Sequence, residues 1–296
     1  MHSPLQRQDI AAQRNYTLSP SCVASPLAFA FIIHHYILNI TMKALDDLKR
    51  SLAWRIFPWT RLRLELGPGC TVVLRNRGDF LILREIFIQR EYDCFLERIG
   101  PVSRWLDLGC NCGMFSLRLE MLAQQKTWPT PRQAVLVDAN AEALSAARDA
   151  IALSQPKTQM QLVEAAVGPK GVTHIDFYEG KTSHKSRLSS LGSRGKKVTR
   201  PVADLEALVG QFDGPLDLIK IDIEGAEAVL LEHWGSWLTA HGQHLLIEWH
   251  HPEQPGLSLL TKLNALGFTL IDAASATGEG EAALTAPIGT ALFAKT

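Results

Sequence analysis

The sequence predicts an α/β fold, a seven-stranded, mostly parallel sheet with helices on both faces, preceded by a small N-terminal α+β extension. Three observations predict it. From Arg104 onward, short apolar runs alternate with segments of helical period, the pattern of a parallel sheet built from crossover units. A glycine-bracketed turn, Asp107-Leu108-Gly109-Cys110-Asn111-Cys112-Gly113, joins the first run to the first helix. Acids stand where several runs end: Asp107, Asp138, Asp222, Glu224 and Glu248.

Taken in order, residues 1–25 are polar and without period, and Pro26 to Ile40 is largely apolar. That run is shorter than the ~20 residues a membrane-spanning helix needs, and no small-x-small cleavage site follows it, so no spanning segment is expected. Residues 1–41 read as a leader, either unstructured or a mis-assigned start. Met42 to Trp54 opens a helical pattern through Leu45, Leu48 and Leu52, which makes Met42 a candidate natural start. Residues 42–100 form a helix, hairpin and helix subdomain, and 101–296 form the main domain. The hairpin comes from Leu62 to Leu66 and Thr71 to Leu74 around Gly67-Pro68-Gly69, and the second helix from Asp79 to Ile99.

In the main domain, the predicted strands are Trp105 to Leu108, Ala134 to Val137, Gln159 to Val163, Leu216 to Ile221, His244 to Glu248, Thr269 to Asp272 and Thr290 to Ala294. Helices are expected over Met114 to Ala123, Ala141 to Leu153, Val202 to Leu208, Ala226 to Trp234 and Leu257 to Leu266. Between Lys181 and Arg200, seven basic residues alternate with Ser and Gly and no acid, which reads as a mobile basic loop able to hold an anionic acceptor.

Composition narrows the class. Of 296 residues, 46% are hydrophobic and 20% charged, ordinary for a globular chain. The 30 basic residues balance 30 acidic ones, so no global attraction to nucleic acid is expected, and no aromatic interleaves the basic loop as a stacking platform. Five cysteines without a framework spacing suit a reducing compartment, and the cytoplasm is the expected location. Cys110 and Cys112 sit inside the glycine turn with no second Cys or His pair at zinc-like spacing, so no metal site is expected.

The chemistry gathers at the strand ends, where open parallel sheets bind ligands. Glycines let backbone approach a ligand, and the following helix offers free amides and a positive dipole end. A dinucleotide fingerprint fails at Asn111 and Met114, and no phosphate-cradling Lys-Ser or Lys-Thr follows. Asp138, at the end of the second strand, suits ribose hydroxyls, a reading its strand-end position favours over the alternative in which Asp138 and Asn140 cap the next helix. Lys220 inside an apolar strand demands a carboxylate partner among Asp222, Glu224 and Asp107. By alternation, Glu248 and His250 share a face, and His250 or a carboxylate suits proton removal near neutral pH.

Three stretches together resemble one family. Trp105 to Leu117 (WLDLGCNCGMFSL), Asp217 to Glu227 (DLIKIDIEGAE) and Ile247 to His250 (IEWH) resemble the FkbM-type S-adenosylmethionine (AdoMet)-dependent methyltransferases. Ile86 to Asp93 looks like the segment before that family's first strand, and Ser189-Ser190-Leu191 like its short serine motif. The resemblance spans roughly residues 62–296. It implies a Rossmann-like sheet of seven strands with the last inserted antiparallel, AdoMet as cofactor, and O-methylation of a hydroxyl on a sugar, glycan or other small metabolite. Asp107, Gly109, Asn111, Gly113, Phe115, Asp138, Asn140, Asp222 and Tyr92 carry over as cofactor contacts. Lys220, Asp222, Glu224, Glu248 and His250 carry over as residues at the reacting centre. The second-strand motif reads Asp138-Ala139 where Glu-Pro is usual, and Cys112 replaces a branched apolar residue. No Asn-Pro-Pro-aromatic turn follows the fourth strand and no Pro-Cys nucleophile is present, which favours oxygen over nitrogen or carbon as the acceptor atom. Two other readings remain, an AdoMet-binding scaffold without turnover and a nucleotide-cofactor oxidoreductase.

Overall fold

A computed structural model of the chain describes residues 62–179, 187–188, 196–250, 256–275 and 278–296. The leader, the Met42 to Trp54 helix, Ser189-Ser190-Leu191 and most of the basic stretch lie outside the described residues.

The strands are β1 (Leu62–Gly67), β2 (Cys70–Leu74), β3 (Arg104–Leu108), β4 (Gln133–Asp138), β5 (Gln159–Glu164), β6 (His174–Glu179), β7 (Arg187–Leu188), β8 (Lys196–Pro201), β9 (Leu216–Ile221), β10 (Gly242–Trp249), β11 (Phe268–Ser275), β12 (Gly278–Glu279) and β13 (Gly289–Lys295). The helices are α1 (Arg77–Leu83), α2 (Asp93–Leu96), α3 (Met114–Gln125), α4 (Ala141–Ser154), α5 (Leu205–Val209), α6 (Glu227–His241) and α7 (Gly256–Ala265).

The main sheet has eight strands in the order β12-β11-β13-β10-β9-β3-β4-β5. β10, β9, β3, β4 and β5 run parallel, and β13 lies antiparallel between β10 and β11, the expected inverted insertion. The eighth strand, β12, is a two-residue edge, too short to show a period in the sequence. From β3 the chain steps outward through β4 and β5, then returns to place β9 on the other side of β3. The carboxyl ends of β3 and β9 therefore flank the point where strand order reverses, where such sheets bind ligands.

The parallel strands are apolar on both faces because helices cover both: Trp105, Leu106, Leu108, Leu216, Leu218, Ile219, Leu245 and Leu246 are all buried. α4 packs through small residues, Ala143, Ala146, Ala147 and Ala150, and starts at Asn140, whose side chain accepts from the amides of Glu142 and Ala143. The β1/β2 hairpin is fastened to α4 by Ser154, whose hydroxyl accepts from Thr71 N (2.7 Å) and donates to Thr71 O (2.9 Å).

Two expectations change. The single helix from Asp79 to Ile99 is instead α1, a π-helical turn over Arg84–Gln89, a left-handed Arg90 (φ 58) and the short α2. Its apolar residues kept a helical spacing that conceals this break, and π-turns concentrate at functional sites. In the basic stretch, Arg187–Leu188 and Lys196–Pro201 are strands that pair with β6 in a separate three-stranded antiparallel sheet. β8 reads Lys196-Lys197-Val198-Thr199-Arg200-Pro201 and β7 has only two residues, too few apolar positions to show a strand period in the sequence.

Candidate active site

At the switch point two backbone turns meet. Gly109 adopts φ 78, and a Cβ there would stand 1.7 Å from the carbonyl oxygen of Asp222, so only glycine fits. The turn is tied down by Gly109 N and Cys110 N, both donating to Val137 O, and by Asn111 N donating to Asp138 Oδ2 (2.8 Å). Asn111 is left-handed (φ 50), with its side-chain oxygen buried and unpartnered. On the other side, Glu224 (φ 54) and Gly225 (φ 97) are both left-handed. Their turn is held by Glu227, buried at the start of α6, whose Oε1 accepts from Ile223 N (3.3 Å) and Gly225 N (3.1 Å). Here lies the physical content of Lys-x-Asp-x-Glu-Gly-x-Glu. The strand delivers Lys220 and Asp222, the strained turn presents Glu224, Gly225 permits the reversal, and Glu227 fixes it.

Lys220 is buried. Its Nζ donates to Asp222 Oδ2 (2.9 Å) and Gly109 O (3.2 Å), lies 3.6 Å from Asp107 Oδ1, and stands 5.6 Å from the Phe115 ring centroid. Burial opposes its charge, but Asp222 and Asp107 outweigh burial and push its pKa up, so it is a fixed ammonium. Asp107, fully buried, also accepts from Ser116 Oγ (2.8 Å), which in turn accepts from Trp105 Nε1 (3.0 Å).

At the end of β10, His250 sits among three carboxylates: Nε2 is 3.2 Å from Glu248 Oε1 and 3.8 Å from Asp222 Oδ1, and Nδ1 is 3.6 Å from Glu227 Oε1. Burial disfavours the imidazolium, yet Glu227, Glu248 and Asp222 outweigh it and raise the pKa to about 12. His250 is therefore a cation at neutral pH. Glu248 accepts the Tyr92 hydroxyl (2.6 Å), and although burial opposes its ionisation, His250 and Tyr92 hold its pKa down. Tyr92 packs edge-on against Phe115, with ring centroids 5.2 Å apart.

These groups line a cavity of about 280 Å³, with Gly109, Cys110, Asn111 and Met114 on the turn side and Leu81, Ile82, Ile86 and Ile288 as apolar wall. Tyr92, Phe115, Lys220, Asp222, Glu224, Glu248 and His250 all line it. Asp107, Gly113, Asp138 and Asn140 lie behind the lining. Asp138 joins the turn to the next helix, its Oδ1 accepting from Asn140 N (2.7 Å) and its Oδ2 from Asn111 N. Burial, partly offset by those two amides, lifts its pKa to about 6.

Sequence reasoning missed Glu85 and Glu91, which the π-turn and the loop after it bring into the cavity. Both lie in or beside the Ile86 to Asp93 segment already marked as family-like, so the signal existed but did not select them. Burial first, then neighbouring carboxylates, raises Glu91 to about 7 and Glu224 to about 8. The cavity thus holds Glu85, Glu91, Asp222, Glu224 and Glu248 against Lys220 and His250. An acidic lining gives an anionic acceptor no support at the reacting centre. Asp222, Glu224 and His250 offer ligand atoms within 4.8 Å of one another, but the Lys220 ammonium already occupies Asp222 Oδ2.

An open sheet with its ligand crevice at the β3/β9 switch point, a glycine turn and acids at the strand ends define a Rossmann-like fold with a cofactor-type site, and the family model that matches it is one of methyltransferases, whose methyl donor is AdoMet. Residues 129–270 match the family model described as Methyltransferase FkbM domain. The match includes Asp138, Lys220 to Glu227, Glu248 and His250. Among solved structures, the chain is similar to an S-adenosylmethionine-dependent methyltransferase from Clostridium acetobutylicum ATCC 824, at 10% identity and TM-score 0.44, covering 74% of this chain and 98% of that one. It is also similar to Methyltransferase FkbM from Methylobacillus flagellatus KT, at 12% identity and TM-score 0.44, covering 65% of this chain and 43% of that one. No curated protein matches it. No helix among the described residues is long and apolar enough to cross a membrane.

Proposed function

We propose that this methyltransferase transfers the AdoMet methyl group to a hydroxyl oxygen of a sugar, glycan or other small metabolite that is neutral or cationic near the reacting atom. The observation that carries the reading is the state of the titratable groups in the cavity. The two candidate cations, Lys220 and His250, are locked to carboxylates, whereas Glu224 makes no hydrogen bond or ion pair among the described residues and lines the cavity with its pKa raised to about 8. A base poised near neutral pH suits removal of a hydroxyl proton.

The residues present fit AdoMet. Gly109 lets its turn close against Asp222 at the edge of the cavity, the buried Asn111 oxygen lacks a partner, and the excess of carboxylates complements a sulfonium. Gly109, Asn111 and Phe115 would line the methionine side, with Asp107 and Gly113 supporting the turn and Asp138 and Asn140 carrying it toward the ribose side. When bound, AdoMet supplies an electrophilic methyl group. Glu224 takes the acceptor proton; Asp222 and Glu248 hold the opposing charge in place; His250 is their fixed counter-ion rather than the base; Lys220 keeps Asp222 oriented. Orientation of the reacting atoms supplies much of the rate. The free thiols of Cys70, Cys94, Cys110 and Cys112 suit the cytoplasm.

The test is to incubate the purified chain with methyl-labelled AdoMet and extracted glycolipids and to analyse the labelled product. The reading predicts label in an ether methyl. Label on nitrogen overturns it, and tight AdoMet binding with no transfer favours a scaffold.

A further inference from the structure

The segment that brings Tyr92 to Glu248 is fastened by a second, entirely buried contact that the reaction itself does not use. Asp93, the residue after Tyr92, and Arg118 on α3 are both buried, 5% and 6% exposed. Arg118 grips the carboxylate with both arms of its fork: Nε donates to Oδ1 (3.0 Å) and Nη2 to Oδ2. Arg90, in the left-handed residue that ends the π-turn, donates to the same Oδ2. The Arg118 guanidinium also lies 6.0 Å over the Phe87 ring, in the middle of that turn.

Phe115 stands three residues before Arg118, on the same face of α3. It packs against Tyr92 and faces Lys220. One face of the helix that follows the glycine turn therefore grips residues 87–93 twice, through Phe115 on the cavity side and Arg118 behind it. Tyr92 meets the sheet at β10, two strands from the β3 end that carries the glycine turn.

We propose that Arg118 and Asp93 are positioning residues. Their bidentate pair sets the wall formed by Glu85, Ile86, Glu91 and Tyr92 at a fixed distance from the cofactor turn, and so fixes where the acceptor lies. A planar fork restrains orientation as well as distance through two parallel bonds, whereas a flexible ammonium restrains distance alone. The inference rests on the proposed transfer reaction for its effect on rate but not for its effect on the wall.

Three variants test it: Arg118→Lys, Arg118→Met and the pair Arg118→Met with Asp93→Leu, in which both charges leave together so that no buried charge is stranded. Hydrogen exchange is read over residues 84–93 and 114–125, AdoMet affinity by calorimetry, and transfer of labelled methyl to extracted glycolipids as separate kcat and KM. The double variant should melt near the wild type, exchange at least tenfold faster over 84–93 with α3 unchanged, bind AdoMet within about threefold, and lose about 100-fold in kcat, the order expected for a misplacement near 1 Å. Arg118→Lys should recover part of that loss. Unchanged exchange over 84–93 overturns the proposal, as does a loss of AdoMet affinity that accounts for the whole loss of transfer. Should the wild type transfer no label, the proposed reaction fails, and the exchange result alone decides the clamp.

Discussion

His250→Ala tests the electrostatic reading most sharply, because it removes a cation from between three carboxylates at 3.2, 3.6 and 3.8 Å. At an effective dielectric near 20, each contact is worth roughly 4–5 kcal/mol before desolvation is subtracted. Removing one partner of a buried ionic cluster typically costs about 3–5 kcal/mol, since the remaining charges are left uncompensated. A domain of this size loses about 2–4 °C in melting temperature per kcal/mol, so His250→Ala should melt about 6–20 °C below wild type at pH 7. His250→Lys, which keeps a cation, should recover much of the loss. The sign of the linkage is set by a folded pKa near 12 against about 6.5 unfolded. The stabilisation is complete below pH ~6.5 and fades as pH rises toward 12. Nitrogen-detected NMR of the ring should show both nitrogens protonated at pH 7.5. A neutral single tautomer there, or indistinguishable melting of the Ala and Lys variants, refutes the reasoning and restores His250 as a possible base.

Other variants probe the neighbouring groups. Gly109→Ala places a methyl 1.7 Å from Asp222 O in a left-handed residue, so AdoMet binding measured by calorimetry should be lost and melting lowered; retained affinity contradicts the close approach of the two turns. Glu224→Gln should bind AdoMet normally yet slow transfer about 100- to 10,000-fold, the usual cost of losing a general base. The same variant should flatten the pH dependence of stability. Glu224 is raised from 4.5 to about 8 in the folded state, so its contribution is present below pH ~4.5 and is lost as pH rises through 8. Melting scans from pH 5 to 8.5 should show wild type falling more steeply than Glu224→Gln.

How much of this was legible follows from how local each determinant is. Strand alternation and the glycine turn rest on residues close in sequence, and the sheet agrees with them; the antiparallel insertion of β13 is a non-local pairing that only the family resemblance implied. The Lys220 partner was also legible, since a buried ammonium leaves few choices and Asp222 lies two residues away on the same face. The charge state of His250 was not. It depends on Glu227, which the Lys220 to Glu227 stretch contains but whose side chain turns back toward β10 only once α6 forms. The break at Arg84–Gln89 escaped because a π-turn keeps a nearly helical apolar spacing, and with it escaped Glu85, Glu91 and the Asp93–Arg118 pair. For Asp138, strand-end position suggested a ribose contact; the folded chain adds that the backbone amides of Asn111 and Asn140 donate to its two oxygens.

We infer that AdoMet binds in the cavity between the Gly109 turn and the Lys220 to Glu227 stretch. Calorimetric titration of the purified chain with AdoMet, and in parallel with NAD, measures it directly. Saturable AdoMet binding, lost in Gly109→Ala, with no NAD binding is the predicted result; NAD binding without AdoMet binding contradicts the account.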